Sequence, residues 1–296
     1  MEFAFTQEQE ELRRQARSFL EANPDAPLSE LRELGWLGVS VPEDRGGGGL
    51  SFVDEAILFE EAGRALYSGP FLTTAVVLPA LPEVDENAWS VEVDGLVPHL
   101  DTVDQVLRED MTAVPAEGET LATVDETRPL GKLVLQEHNV SQTAVSIDGD
   151  FEPVRLRLLA ALAVEAVGVA QKALELGVAY VSDREQFGKK IGTYQAVSHP
   201  LADTYVETEL ARSLAYWAAW CVAVDDEQAP VAVAAAKAQA AETAVAACER
   251  SIQVHGGIGF TWEHVLHRYY KRAQWIDAFG GHAARQRQVV AAALLD

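Results

Sequence analysis

Two short segments of this chain concentrate residue types that bind anions. The first, SDREQFGKKIGTYQAVSH (Ser182 to His199), places Arg184, Lys189, Lys190, two glycines and two aromatic residues between two long helix-patterned stretches. Arg184 offers a planar fork of N–H donors suited to phosphate oxygens. The second, QVHGGIGFTWE (Gln253 to Glu263), carries Gly256, Gly257 and Gly259, which let backbone amides approach a ligand closely. Thr261 reads as the cap of the helix that follows, so the glycines sit before a helix N-terminus, a common anion-binding arrangement. Each segment also has a plainer reading. A Gly-Gly-x-Gly run is often a helix terminator, and an arginine in a turn is often a surface ion pair. Here both occur about 70 residues apart on one helical frame.

Together they resemble the acyl-CoA dehydrogenase family. YVSDREQFGKKIGTYQAVSHPLAD is similar to the family's Tyr-x-x-x-Arg-x-x-Phe-Gly…Gln-Ala pattern, and QVHGGIGF to its Gln-x-x-Gly-Gly-x-Gly. The resemblance extends from Leu156 to Arg287. It is present over LRELGWLGVSVPEDRGGGGLS and poor in the middle of the chain. It implies an N-terminal helical domain, a β domain and a C-terminal four-helix bundle, with FAD lying between subunits. One subunit holds the isoalloxazine with its β domain, and its neighbour offers the Arg turn and the Gly-Gly loop. On that basis Arg184 would bind pyrophosphate and Phe187 would pack near the adenosine end. Gln195, Gln253, Gly256 and Gly257 would hydrogen-bond to, or make room for, the adenine-dinucleotide portion.

The same resemblance exposes departures. The reaction needs a base for the α-proton while the β-hydrogen leaves as hydride to the flavin. Counted from Gln253, the family's Tyr-Glu-Gly-Thr run falls on Phe279, Gly280, Gly281 and His282, so glycine stands at the glutamate position, while the arginine seven residues on is matched by Arg287. The alternative base position on the first bundle helix is Leu158. Glu165 lies seven residues further, either as a displaced base or as a buried carboxylate paired with an Arg or Lys. Lys271-Arg272 stands where the fourth bundle helix usually has Arg-Asp. The Thr-Glu-Pro…Gly-Ser-Asp segment is not recognisable, and WSVEVDGLVPHLDTVDQVL resembles a shrunken Asn-Gly-x-Lys-x-x-Ile hairpin.

The elements that must hold these loops follow from pattern. Thr6 caps a helix to Leu20 with Gln9 three residues on, Ser29 to Trp36 reads as a short helix, and Ser51 caps a third with Phe52, Ala56, Phe59 and Ala62 on one stripe. Val41 to Ser51 is a loop, and Phe71 to Leu81 a short apolar segment. Pro79 and Pro82 mark a change to β-like runs at Trp89 to Val93, Gln105 to Leu107, Gly131 to Gln136 and Gln142 to Ile147. From Glu152 on, helices are expected over Leu156 to Ser182, Tyr194 or Gln195 to Val224, Ala229 to Gln253, Trp262 to Ile276 and His282 to Leu295. The fold class is therefore mostly α. It divides into an N-terminal helical domain (1–82), a reduced β domain (83–150) and a C-terminal bundle (151–296).

Composition narrows the partners. The chain has 23 Lys plus Arg against 46 Asp plus Glu, a formal charge of −23 over 296 residues. Such a charge repels nucleic acid and anionic membranes, and repels a CoA thioester away from a local basic patch. Cys221 and Cys248 have no metal or redox spacing, so no metal is expected and a reducing cytoplasm is the default. The first residues carry acids and amides where a signal peptide needs an apolar core, and no apolar run of about 18 residues suggests a membrane span. The expectation is a non-catalytic or half-site subunit of a heteromeric FAD-dependent acyl-CoA dehydrogenase. Its partner subunit carries the catalytic glutamate, its acceptor is an electron-transfer flavoprotein, and its sub-type is that of steroid side-chain CoA desaturation. A homomeric enzyme with Glu165 or another carboxylate as base, and a flavin-free structural or binding protein, remain as alternatives.

Overall fold

The computed structural model describes residues 4–134 and 144–295. Helix α1 (Gln7–Ala22) opens on a capping box: Thr6 Oγ1 accepts from Gln9 N (3.2 Å) and Gln9 Oε1 accepts from Thr6 N (3.0 Å). Helix α3 (Phe52–Ala65) repeats the device with Ser51 and Asp54. Between them α2 (Leu28–Glu33) stops before the expected Trp36, because Gly35 takes a left-handed φ of 75°. The segment from Phe71 splits into α4 (Phe71–Val77) and a 3-10 turn, Leu78–Ala80.

The middle segment holds more strands than its sequence pattern suggests. β1 (Trp89–Val91), β3 (Gln105–Leu107), β4 (Thr112–Pro115) and β7 (Val145–Ser146) form one sheet in the order β1-β3-β4-β7. β2 (Val97–Pro98), β6 (Leu130–Leu133) and β5 (Gly118–Leu121) form a second, in the order β2-β6-β5. The strands β2, β4 and β5 were not expected. β2 has two residues and contains Pro, and β5 is exposed and polar, so neither shows apolar alternation. Positions 135–136 and 142–143 of the expected runs lie outside the described residues. The shrunken hairpin is a tight turn: Val93 and Leu96 exchange backbone hydrogen bonds of 3.0 Å across Asp94 and Gly95, both at positive φ. Its two arms then enter different sheets, β1 pairing with β3 and β2 with β6.

The rest is helical: α5 (Phe151–Asp183), α6 (Gln195–Ala223), α7 (Ala229–His255), α8 (Leu266–Ala278) and α9 (Ala283–Leu295). A two-residue-stranded hairpin, β8 (Glu185–Gln186) and β9 (Lys189–Lys190), joins α5 to α6. On α7 the buried residues Ala232, Ala236, Ala240 and Ala244 recur every four positions and pack with the buried alanines of α5 in one hydrophobic core. Helices α3 and α5 approach most closely through two glycines. A Cβ on Gly168 would lie 2.0 Å from Glu60 O, and one on Gly63 would lie 2.2 Å from Glu165 O. That crossing fixes where the Glu165 side chain emerges. Both cysteines are buried and unpaired, and burial pushes the Cys248 thiol pKa up. No helix among the described residues is long and apolar enough to cross a membrane.

Candidate functional site

Both candidate anion-binding segments adjoin the stacked Tyr180 and His255, near the C-terminal ends of α5 and α7. At the end of α5, Arg184 N donates to Tyr180 O (2.9 Å) and the chain turns into the β8–β9 hairpin. Its tip, Phe187 and Gly188, has φ of 54° and 79°, and Phe187 is 93% exposed. A phenylalanine with left-handed backbone and a bare ring is unusual on both counts. Arg184 is exposed, and no ion pair or side-chain hydrogen bond engages its guanidinium among the described residues. The neighbouring cations are held locally. Lys189 Nζ sits 4.1 Å above the Tyr194 ring, and Lys190 Nζ lies 3.6 Å from Asp183. Gln195 is the exposed first residue of α6.

At the end of α7, Gln253 is exposed and the chain enters a 3-10 turn, Gly256–Phe260. A Cβ added to Gly256 or Gly257 would meet nothing within 4 Å, so the backbone here is open to a ligand. The expected cap at Thr261 is not formed. Its hydroxyl donates back to Ile258 O (2.9 Å), and the next helix begins only at Leu266. The glycines therefore follow the C-terminus of α7, and the helix-dipole attraction expected of an N-terminus does not apply to them. Positive charge at this end comes from Arg184 and its neighbouring lysines. Tyr180 and His255 stack with centroids 4.2 Å apart at 25°, which joins the two segments. The Tyr180–His255 stack thus ties the root of the Arg184 hairpin to the start of the Gly256–Gly257 turn, with Phe187 at the hairpin tip, Gln253 near the end of α7 and Gln195 beginning the helix beyond the hairpin.

A second cluster closes the seam between the β segment and the bundle; it makes Glu165 the buried carboxylate paired with arginine that its sequence context allowed, with Arg128 and Asp125 as members that pattern reading missed. Arg272 of α8 is fully buried. It donates from Nε to Asp125 Oδ2 (2.6 Å), from Nη1 to Glu165 Oε1 (2.7 Å) and from Nη2 to Thr127 Oγ1 (2.7 Å). Arg128 also donates to Glu165 Oε1, and its guanidinium carbon lies 5.1 Å from the Trp275 ring centroid. Two guanidiniums thus face two carboxylates, Glu165 and Asp125, which are 1% exposed each. Burial pushes the Asp125 pKa up, but Arg272 and the Thr127 hydrogen bonds outweigh it and the net shift is downward. Burial and the nearby Arg272 together lower Arg128 to about 10. The available sequence signal was the Asp125-x-Thr127-Arg128 spacing, an Asx turn in which Asp125 Oδ1 accepts from Thr127 N (3.0 Å) and Thr127 Oγ1 (2.6 Å).

Neither of the two positions that the resemblance marks for a base carries a proton acceptor. Leu158 is fully buried, and Gly280 lies in the α8–α9 connection at φ 71°. A Cβ there would fall 2.6 Å from Leu159 Cδ2. A pocket of about 430 Å³ beside Gly280 is lined by Val93, Asp94, Phe279, His282 and Arg285 among others, with Arg285 Nη1 paired to Asp94 (2.9 Å). Arg287, matched by the count along the sequence, points away to pair with Glu242.

Residues 127–295 match the C-terminal domain of acyl-CoA dehydrogenases, and residues 6–83 match the N-terminal domain of the same proteins. The chain belongs to the acyl-CoA dehydrogenase family. Members of the family are FAD-dependent oxidoreductases, and FAD is the cofactor expected of the site. The chain is 37% identical to acyl-CoA dehydrogenase FadE34 of Mycobacterium tuberculosis, covering 90% of this chain but only 42% of that protein. It is 32% identical to acyl-CoA dehydrogenase IpdE2 of Mycolicibacterium smegmatis, over 81% of this chain and 78% of the relative. Among solved structures, a variant of the Tcur3481-Tcur3483 steroid acyl-CoA dehydrogenase superimposes with a TM-score of 0.80 at 26% identity, over 97% of both chains. The ChsE4-ChsE5 complex of Mycobacterium tuberculosis gives 0.85 at 21% identity, over 100% of this chain and 99% of that one, a likeness of fold.

The residues present fit one part of FAD. An exposed, unengaged guanidinium suits a pyrophosphate, open glycine backbone admits a ligand, and a bare aromatic ring suits a stacking base. On the side of the chain that faces the β segment, the Arg128–Glu165–Arg272–Asp125 cluster occupies the interior with charged side chains already paired to one another.

Proposed function

We propose that this chain is a half-site subunit of a heteromeric acyl-CoA dehydrogenase that desaturates the α,β bond of an acyl-CoA thioester. It lends Arg184, Phe187, Gln195, Gln253, Gly256 and Gly257 to an FAD whose isoalloxazine is held by the partner subunit. The observation that carries the reading is a pairing of opposites. The cofactor-facing end is open and its arginine unengaged among the described residues, while the position the resemblance marks for the base is a glycine at φ 71°.

Under this reading the partner's glutamate takes the α-proton, and FAD, when bound, accepts the β-hydrogen as hydride. This chain's contribution is binding. Arg184 neutralises pyrophosphate charge in a protein that is otherwise strongly anionic, and the glycine turn admits the dinucleotide against its backbone. The likeness to the Tcur3481-Tcur3483 steroid acyl-CoA dehydrogenase at 26% identity, a protein named for two components, supports a steroid side-chain CoA as substrate class and a heteromer as the assembly. Electron-transfer flavoprotein is the acceptor proposed, and the cytoplasm the location. The division into 1–82, 83–150 and 151–296 is the domain scheme that accompanies this reading.

The homomeric alternative puts the base on a displaced carboxylate such as Glu165, and the surroundings of Glu165 argue against that role. One oxygen receives two guanidiniums and the carboxylate is 1% exposed, so a substrate α-proton has no path to it. The test is co-expression with a neighbouring dehydrogenase gene, followed by the absorbance spectrum of the purified species. The chain alone is expected to be colourless and its complex yellow. A yellow chain that alone reduces a dye with acyl-CoA would overturn the half-site reading.

A further inference from the structure

We propose that His255 is a positioning residue that couples the Arg184 hairpin to the Gly256–Gly257 turn, so that the two cofactor-facing loops are presented as one unit. The consequence for FAD rests on the half-site reading, whereas the coupling is a property of this chain alone. The two loops belong to different connections, α5–α6 and α7–α8. A ligand that touches both needs their spacing set before it arrives, because ordering two loops on binding weakens affinity.

His255 is placed to set that spacing. Its ring is 5% exposed and its Nδ1 lies 2.7 Å from Ser251 O. A carbonyl oxygen only accepts, so Nδ1 carries the proton and the ring plane is fixed along the last turn of α7. Held there, the ring stacks on Tyr180, whose carbonyl accepts the hydrogen bond from Arg184 N. The same ring packs against His264, 4.4 Å away at 56°, which lies beyond the glycine turn. One imidazole thus touches the root of the hairpin and the segment that closes the turn, and it is covalently joined to Gly256. The helices beneath are held in register, since Ser251 Oγ donates to Ala173 O (2.7 Å) on α5. Burial, together with His255 and His267, holds the His264 pKa below the ordinary histidine value, which favours a neutral partner for the stack near pH 7.

Hydrogen exchange on the purified chain tests the coupling. His255→Ala is expected to speed exchange in both the 184–191 hairpin and the 256–260 turn by about two- to tenfold, the range of one lost aromatic pair. His255→Phe keeps a stacking ring and is expected to leave the hairpin unchanged. Loosening confined to the 256–260 turn, no change in either loop, or a Phe variant that behaves like the Ala variant would overturn the coupling. Should His255→Ala fail to fold, Tyr180→Leu breaks the same stack from α5 and is expected to loosen the glycine turn on α7; an unchanged turn overturns the proposal. In the complex with the partner subunit, His255→Ala is expected to lower FAD occupancy and His255→Phe to retain it. If Arg184→Ala releases FAD while His255→Ala retains it fully, the positioning role fails and the half-site reading stands. If Arg184→Ala retains FAD, the half-site reading fails and the coupling is judged by exchange alone.

Discussion

Leu159 Cδ2 stands 2.6 Å from the point where Gly280 would carry a Cβ. The tip of a flexible side chain from α5 thus borders this position, and the φ of 71° at Gly280 adds a backbone conformation that side-chain-bearing residues adopt at a penalty.

Restoring the family's carboxylate at this position is expected to fail. Gly280→Glu should lower stability by about 1–3 kcal/mol through left-handed backbone strain, the Leu159 side-chain tip shifting to admit the new Cβ. It should confer no dehydrogenase activity on the chain alone. Urea denaturation and a dye-reduction assay check the two parts, and an undiminished midpoint would contradict the backbone strain at Gly280.

Glu165 is expected to matter for stability rather than chemistry. Glu165→Gln leaves Arg128 and Arg272 buried with Asp125 as their remaining charged partner, and loss of one member of a buried ion pair typically destabilises by about 3–5 kcal/mol. Activity per folded complex should stay within a few-fold of wild type. A loss of about 10²–10⁴-fold, the usual contribution of a general base, with FAD bound and stability intact would identify Glu165 as that base. Arg128→Met in the Glu165→Gln background should recover part of the lost stability, since it removes one uncompensated cation.

Much of this was legible in sequence, and the rest was hidden for identifiable reasons. Capping residues Thr6 and Ser51 marked α1 and α3 because their side chains act on adjacent backbone. The Arg184 and Gly256 loops were legible because each keeps its residue types within a few positions. Of the Arg128–Glu165–Arg272–Asp125 cluster only Glu165, as a paired buried carboxylate, was legible; its partners were not, since the members come from three elements up to 147 positions apart and meet only in the folded chain. β5 was missed because its exposed residues Gly118–Leu121 pair through backbone and leave no apolar pattern. The Thr261 cap failed because capping requires a helix to begin at once, and the chain turns through Trp262 to Val265 first.

Lys237 supplies a pH-dependent prediction. Its ammonium is fully buried and donates to Ile276 O (2.6 Å) at the end of α8, and burial lowers its pKa to about 8 from 10.5. A base with a depressed folded pKa binds its proton more weakly than in the unfolded chain. Its stabilising contribution is complete above pH 10.5 and is lost as pH falls through 8. The stability difference between wild type and Lys237→Met should therefore rise by about 2 kcal/mol between pH 8 and 10. Taking the difference cancels Cys248 and the tyrosines Tyr67 and Tyr269, whose pKa values burial pushes up. A difference independent of pH across that window would contradict the buried ammonium.

The flavin content of the Arg184→Ala complex tests the central claim most directly. Arg184 is exposed and makes no ion pair among the described residues, so its removal should leave the helical circular-dichroism signal unchanged. The wild-type complex is expected to hold one FAD per pair of unlike subunits, read from the flavin-to-protein absorbance ratio, and the Arg184→Ala complex is expected to lose most of it on gel filtration. Full flavin occupancy in the variant, with both subunits still together, would contradict the account that this chain lends its cationic loop to a cofactor held next door.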